Sequence, residues 1–169
     1  LLPVPVPRLV HNDVGPAIQA AAIARISAYV GQGTVYDNLD AAAAAMWAIS
    51  TGFGPHTGAQ WRALSAPMVV PASARSADGR TRQEPVAGGA QVRLHYDPAL
   101  ALWLRAITPE AIVQAEHAMW ALYDAITAPI LLIRGADSDL LSAATAAAMG
   151  ERGPRARLIE FEGVAHAPT

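Results

Sequence analysis

Two polar loops near the end of the chain hold the residue types that general acid–base chemistry requires. Asp139 follows an apolar run at 129–133, and His166 follows a second predicted strand at 157–161. If both stretches are parallel strands, their carboxyl ends meet at one edge of a sheet, which is where such sheets bind ligands. A carboxylate beside a histidine fixes the tautomer of the imidazole and stabilises its protonated form. The pair therefore predicts a histidine that acts as general base for a hydroxyl nucleophile.

Two other aspartates are alternatives for the acid. Asp137 lies in the same loop as Asp139 and is expected to be its exposed neighbour. Asp13 follows a short apolar run that ends at Val10, and it is expected to order the turn that comes next. Asp139 is the predicted acid, and Asp13 stays open as its replacement.

Two H-x-D pairs invite a metal hypothesis. His11 with Asp13, and His95 with Asp97, have the spacing that puts both side chains on one face of a strand. Two ligands do not make a metal site. Neither a metal nor any other cofactor is therefore expected.

The elements around the two loops predict a parallel sheet with helices against it. Residues 129–133 form a continuous apolar run, which is typical of a strand that is covered on both faces. Ser142 can cap a helix that continues to Met149, and the second strand at 157–161 comes after it. This order of strand, acidic loop, helix, strand and histidine loop indicates the α/β class.

The region between these strands and the start of the chain is predicted to be mainly helical. Helix-capping residues precede several of its segments, namely Asp37 or Asn38, then Thr57, and then Thr108 before Pro109. Residues 91–96 alternate polar and apolar side chains, which indicates one short strand. We expect a helical layer that is separate from the final strands.

Composition excludes several classes of function. The chain has 169 residues, 53% of them hydrophobic, a net charge of -2 and no cysteine. Without cysteine there is no disulfide, no thiolate nucleophile and no cysteine-based zinc site, which fits a cytoplasmic protein. The sequence has no basic run for nucleic acid and no apolar run of the roughly 20 residues that a membrane requires, so neither partner is expected.

Several segments resemble those of one known superfamily. PILLIRGADSDLLS is similar to the penultimate strand and acid loop of α/β-hydrolases, and FEGVAHAP is similar to their last strand and histidine loop. LVHNDVGPAI resembles the strand that leads into the helical lid of that superfamily, and FGPHTGAQW and RLHYDPAL are similar to lid segments. The resemblance extends from about Leu9 to Thr169.

The resemblance implies a division of the chain and a set of roles. Residues 1–15 would form the strand that leads into the lid, 16–126 the helical lid, and 127–169 the C-terminal part of the hydrolase core. In that superfamily the nucleophile precedes the acid and the histidine. None of the seven serines lies in a G-x-S-x-G motif. The nucleophile is therefore expected in a preceding half, and the chain is expected to be a fragment.

The expected function follows from these roles. The parent protein would hydrolyse a small ester, lactone or related acyl substrate, with Asp139 orienting His166 and the lid selecting the substrate. The chain alone is expected to be inactive and to associate with itself through an uncovered sheet edge. The alternative is a non-catalytic remnant or an interaction fragment of an α/β-hydrolase.

Overall fold

The computed structural model describes residues 5–50, 52–74 and 89–166. In chain order these residues form β1 (Leu9–Asn12), α1 (Ala20–Tyr29), β2 (Val35–Tyr36), α2 (Leu39–Ala48), α3 (Gly58–Ser65), β3 (Val69–Pro71), β4 (Val92–Leu94), α4 (Leu100–Ala106), α5 (Pro109–Asp124), β5 (Ile130–Gly135), α6 (Ala143–Glu151) and β6 (Arg157–Phe161). Within these ranges, no helix combines the length and the apolar character needed to cross a membrane.

The chain divides into two compact units. Unit 1 consists of Leu1–Ala28, Gly52–Gly54 and Trp103–Thr169, and unit 2 consists of Tyr29–Thr51 and Pro55–Leu102. The ends of two predicted segments, 1–4 and 167–169, lie outside the described residues. The predicted division into a leading strand, a lid and a core stays a prediction.

Unit 1 contains a three-stranded parallel sheet in the order β1-β5-β6. The central strand β5 sets Leu132 beside His11 of β1 and beside Leu158 of β6. Because all three strands are parallel, their carboxyl ends lie at the same edge of the sheet. The predicted α/β class is therefore confirmed, and β6 has the bounds that the sequence predicts.

One face of this sheet is covered by helices and carries the core of unit 1. Ile130 and Leu132 are buried together with Tyr123 of α5 and Met149 of α6. The Tyr123 hydroxyl donates a 2.6 Å hydrogen bond to the Met149 carbonyl, and burial raises the pKa of that phenol. On the opposite face, Val10 is 62% exposed. The sheet is thus packed on one side only by the residues that the structure describes.

Unit 2 contains a small antiparallel sheet in the order β2-β4-β3. Helix α2 packs on this sheet through Ala42 and Met46, which are buried with Val69 and Val92. The alanine run in α2 allows the close approach, because a methyl group adds little thickness to the helix. The sequence predicts β4 but neither β2 nor β3, so the mainly helical region also holds a sheet.

Candidate active site

Asp13 lies directly after β1, at the edge of the parallel sheet. Its backbone N–H donates to the Ile133 carbonyl at 2.7 Å, which extends the pairing with β5 by one residue. The chain then turns sharply, since Asp13 has a φ of 54°. This left-handed conformation is uncommon for residues other than glycine, and aspartate is among the few that adopt it. Such conformations cluster at functional sites.

The Asp13 carboxylate is fully buried and receives three hydrogen bonds. Its Oδ1 accepts from the Gly135 backbone N–H at 3.2 Å, and its Oδ2 accepts from Ser138 Oγ and from His166 Nδ1 at 2.8 Å. The side chain of Asp13 has no exposed surface. Gly135, Ser138 and His166 are thus joined through one carboxyl group.

The His166 loop is held at this edge by its backbone. Gly135 ends β5, and a Cβ at that position would lie 2.0 Å from the Ala165 carbonyl oxygen. Only glycine leaves room for the histidine loop to cross the end of β5 so closely. The Ala165 N–H also donates to the Gly52 carbonyl at 2.6 Å, and the Asp137 N–H donates to the Val164 carbonyl at 3.0 Å.

The exposure of the two side chains differs in a way that suits catalysis. The Asp13 side chain is wholly buried, whereas the His166 side chain is 37% exposed. When Nδ1 donates to the carboxylate, the neutral imidazole has its lone pair on Nε2. Asp13 can therefore orient the ring through Nδ1 while the exposed part of the His166 side chain stays accessible to a reacting group.

The predicted partner of His166, Asp139, lies elsewhere. Both of its carboxylate oxygens are bound by Arg25 of α1, from Nε at 2.7 Å and from Nη2 at 3.0 Å. This ion pair is close to half exposed. The expected Asp139–His166 contact is thus corrected to Asp13–His166, because the acid loop turns Ser138 inward and its neighbour Asp139 outward. Asp137 is exposed, as expected.

The rule that predicts Asp139 also applies to Asp13, because both follow parallel strands. The sequence does not show that β1 lies next to β5, since that pairing joins residues more than a hundred positions apart. Ser138 was not predicted as a site residue at all. The sequence feature that could have indicated Ser138 is its position in the loop after β5. It lies just before the apolar residues Leu140 and Leu141, which are buried.

The H-x-D hypothesis for a metal is not supported by the geometry at His11. This ring lies edge-on to Tyr123, with 6.4 Å between the ring centroids, whereas Asp13 points to His166. Burial lowers the pKa of His11. In the part of the chain that the structure describes, no group of three or more His, Asp or Glu side chains could hold a metal ion.

Unit 2 has a cavity of its own, with a volume of about 440 Å³. Its walls combine tyrosines with apolar side chains and include Tyr29, Tyr36, Met46, Ile49 and Tyr96. The Tyr96 hydroxyl accepts a 2.8 Å hydrogen bond from the Gly31 N–H, which fixes one wall. A mainly apolar cavity with a few hydroxyl groups is typical of sites for small amphipathic molecules.

A buried aspartate in contact with a partly exposed histidine, at the carboxyl edge of a parallel sheet, is an arrangement that acid–base chemistry can use. A scan for protein families finds no matching family model. A curated relative is the 3-hydroxybutyrate-oligomer hydrolase of Cupriavidus necator, which is 40% identical over 165 residues. The match covers 98% of this chain and 52% of that protein.

Solved structures show the same fold. An α/β hydrolase from Novosphingobium aromaticivorans superposes with a TM-score of 0.72 and 31% sequence identity. The match covers 96% of this chain and 51% of that protein. E-2-(acetamidomethylene)succinate hydrolase superposes with a TM-score of 0.66 and 20% sequence identity. That match covers 95% of this chain and 51% of the hydrolase. This chain belongs to the α/β-hydrolase superfamily. It spans about half the length of the proteins that it matches.

Proposed function

We propose that this chain supplies the acid and the base of a nucleophile–His–Asp triad in a hydrolase. Asp13 is the acid and His166 is the base. The observation that carries the proposal is the 2.8 Å contact between His166 Nδ1 and Asp13 Oδ2. It is supported by the complete burial of Asp13 and by the membership of the superfamily.

The chemistry assigns one task to each group. Nε2 of His166 takes the proton from an attacking hydroxyl group and then returns it to the leaving alcohol. The ionised Asp13 keeps the proton of Nδ1 on the ring and stabilises the imidazolium that forms in between. No serine of this chain has the G-x-S-x-G context, so the attacking hydroxyl belongs to residues outside these 169.

The substrate class that we propose is an ester of a short hydroxy acid. The support is the 40% identity to a 3-hydroxybutyrate-oligomer hydrolase over nearly the whole chain. Such an oligomer is a row of ester bonds between small methyl-bearing units, with hydroxyl and carboxyl ends. The cavity of unit 2 has walls of matching character, and we propose that unit 2 selects the substrate.

The test uses the protein expressed from the complete reading frame that contains this chain. Wild type and His166→Ala are assayed for release of 3-hydroxybutyrate from its dimer and trimer. We expect turnover in the wild type and a loss on the order of 10⁶-fold in the variant. Equal rates in both proteins, or no turnover of any ester, would reject the proposal.

A second pair of variants tests selection by unit 2. Ile49 lines the cavity and is 43% exposed, so Ile49→Trp narrows the space without changing the core. Val35 is 50% exposed in the same unit and does not line the cavity, which makes Val35→Trp the matched control. We expect Ile49→Trp alone to lower kcat/KM for the trimer more than for the dimer. The same change in both variants would reject the role of the cavity.

The exposed sheet face favours a second candidate function, an interaction fragment. Val10 and Phe161 are exposed on the open face, and β1 and β6 are the outer strands among the described residues. An uncovered edge strand is a template for pairing with another chain. We propose a second copy of this chain as the partner. Light scattering of the purified chain is expected to give a dimer, and a monomer at high concentration would reject this candidate.

A further inference from the structure

Ser138 stands out because its hydroxyl group is fully committed. Its Oγ accepts from the Leu140 N–H at 3.2 Å and from the Leu141 N–H at 3.1 Å. The same oxygen lies 2.5 Å from Asp13 Oδ2. A hydroxyl group has one hydrogen and two lone pairs. Since two backbone N–H groups occupy the lone pairs, the hydrogen is directed at Asp13.

We infer that Ser138 is a positioning residue, which holds the Asp13 carboxylate in place as the acceptor for His166. This inference rests on the proposed roles of Asp13 and His166. Ser138 and His166 donate to the same carboxylate oxygen, Oδ2.

The loop that carries Ser138 has anchors besides this side chain. Arg134 is buried, and its Nε donates to the Leu141 carbonyl at 3.0 Å while its Nη2 donates to the Ala136 carbonyl at 3.2 Å. The same guanidinium group forms an ion pair with Glu160. Arg134 therefore holds the loop on both sides of Ser138, and these two contacts remain when the Ser138 hydroxyl is removed.

A matched control exists a few residues further along the chain. Ser142 caps α6, and its Oγ accepts from the Thr145 N–H at 3.0 Å. Both serines accept hydrogen bonds from backbone N–H groups, so Ser142→Ala and Ser138→Ala each leave such groups without their acceptor. Only the Ser138 substitution also removes a contact with Asp13. Ser142→Ala therefore reports what a local loss of stability does to the site.

The first experiment needs no catalysis and uses the 169-residue chain. The ring-nitrogen chemical shifts of His166 and its Nδ1–H proton resonance are recorded for wild type, Ser138→Ala and Ser142→Ala. In Ser138→Ala we expect the Nδ1–H resonance to move upfield, because the Asp13 carboxylate loses the donor that holds Oδ2 in place for the ring. Ser142→Ala is expected to match the wild type. If Ser138→Ala also matches the wild type, or both variants change alike, the inference is overturned.

The second experiment measures hydrolysis by the protein from the complete reading frame. We expect Ser138→Ala to lower kcat about tenfold with KM unchanged, a change that corresponds to about 1.4 kcal/mol of transition-state stabilisation. Ser138→Thr, which retains the hydroxyl, is expected to recover most of this loss. A wild type without activity would reject the proposed function and leave the resonance test in force. If the wild type is active and Ser138→Ala has the same kcat as Ser142→Ala, the positioning role of Ser138 is overturned while the proposed function stands.

Discussion

Replacing each candidate acid by asparagine separates the two possible partners of His166. Asp13→Asn keeps the shape of a fully buried side chain that receives three hydrogen bonds. Asp139→Asn changes an ion pair with Arg25 that is nearly half exposed. Both variants remove one negative charge close to the same sheet edge. Only the Asp13 side chain is in hydrogen-bond contact with His166, whereas Asp139 is bound by Arg25.

The structure gives the expected size of each effect. An amide has one acceptor oxygen and one donor nitrogen. At position 13, an amide oxygen placed toward His166 and Ser138 sets the amide nitrogen against the Gly135 N–H. The reverse orientation sets it against His166 Nδ1. Either way a buried donor loses its partner, which costs about 1–3 kcal/mol of folding stability.

The expected loss of activity is larger than the loss of stability. With the amide nitrogen facing the ring, His166 holds its proton on Nε2 and cannot act as a base. The same substitution in a Ser-His-Asp triad lowers kcat by roughly 10⁴-fold, and we expect a loss on that order for Asp13→Asn. For Asp139→Asn we expect activity within about twofold of wild type, since an exposed ion pair contributes up to about 1 kcal/mol.

The assay is the initial rate of ester hydrolysis by the protein from the complete reading frame, with urea unfolding measured in parallel. Unfolding separates a lost base from a lost fold, because Asp13→Asn is expected to remain folded at the assay temperature. Loss of activity in Asp139→Asn together with retained activity in Asp13→Asn would contradict the assignment of Asp13 as the partner of His166. Two variants as active as the wild type would contradict it as well.

Three further predictions concern the scaffold. Gly135→Ala places a Cβ against the Ala165 carbonyl, so we expect a lower Tm by thermal unfolding and loss of hydrolysis; an unchanged Tm would contradict the crossing geometry. Tyr123→Phe leaves the buried Met149 carbonyl without its donor, and a loss of about 1–3 kcal/mol is expected by urea unfolding. Burial lowers the pKa of His11, so the unfolded chain binds more protons as the pH falls below about 6.5, and stability falls with it. His11→Leu is expected to reduce the stability difference between about pH 7.5 and about pH 5.5, and an unchanged difference would assign it to other groups.

The sequence predicts best the elements whose signals are local. The caps at Asn38, Thr57, Thr108 and Ser142 are all present as predicted, because a cap is a contact between residues three positions apart. The apolar run before the acid loop and the strand at 157–161 also form as expected. Each of these depends on a short stretch of chain and its own backbone.

The missed strands depend on distant residues. β2 has two residues and β3 has three, which is too short for an alternating pattern to be visible. Their hydrogen bonds are made with β4, which sets Arg93 beside Val35 on one side and Val70 on the other. No local pattern in the sequence indicates that such short segments will meet.

The partner of His166 was missed for the same reason. The sequence shows acidic residues after two strands, and only the pairing of β1 with β5 brings Asp13 to the histidine loop. The loop geometry then decides which side chain points inward, and it selects Ser138 over Asp139. The position of His166 at this sheet edge was predictable, since its loop follows the last strand whichever acid it meets.

The ring-nitrogen chemical shifts of His166 test the central claim, that Asp13 is its partner, without requiring any activity. They are compared in wild type, Asp13→Asn and Asp139→Asn of the 169-residue chain near neutral pH. We expect the Nδ1–H tautomer in wild type and in Asp139→Asn, and loss of that preference in Asp13→Asn alone. A tautomer that changes in Asp139→Asn and persists in Asp13→Asn would contradict that claim.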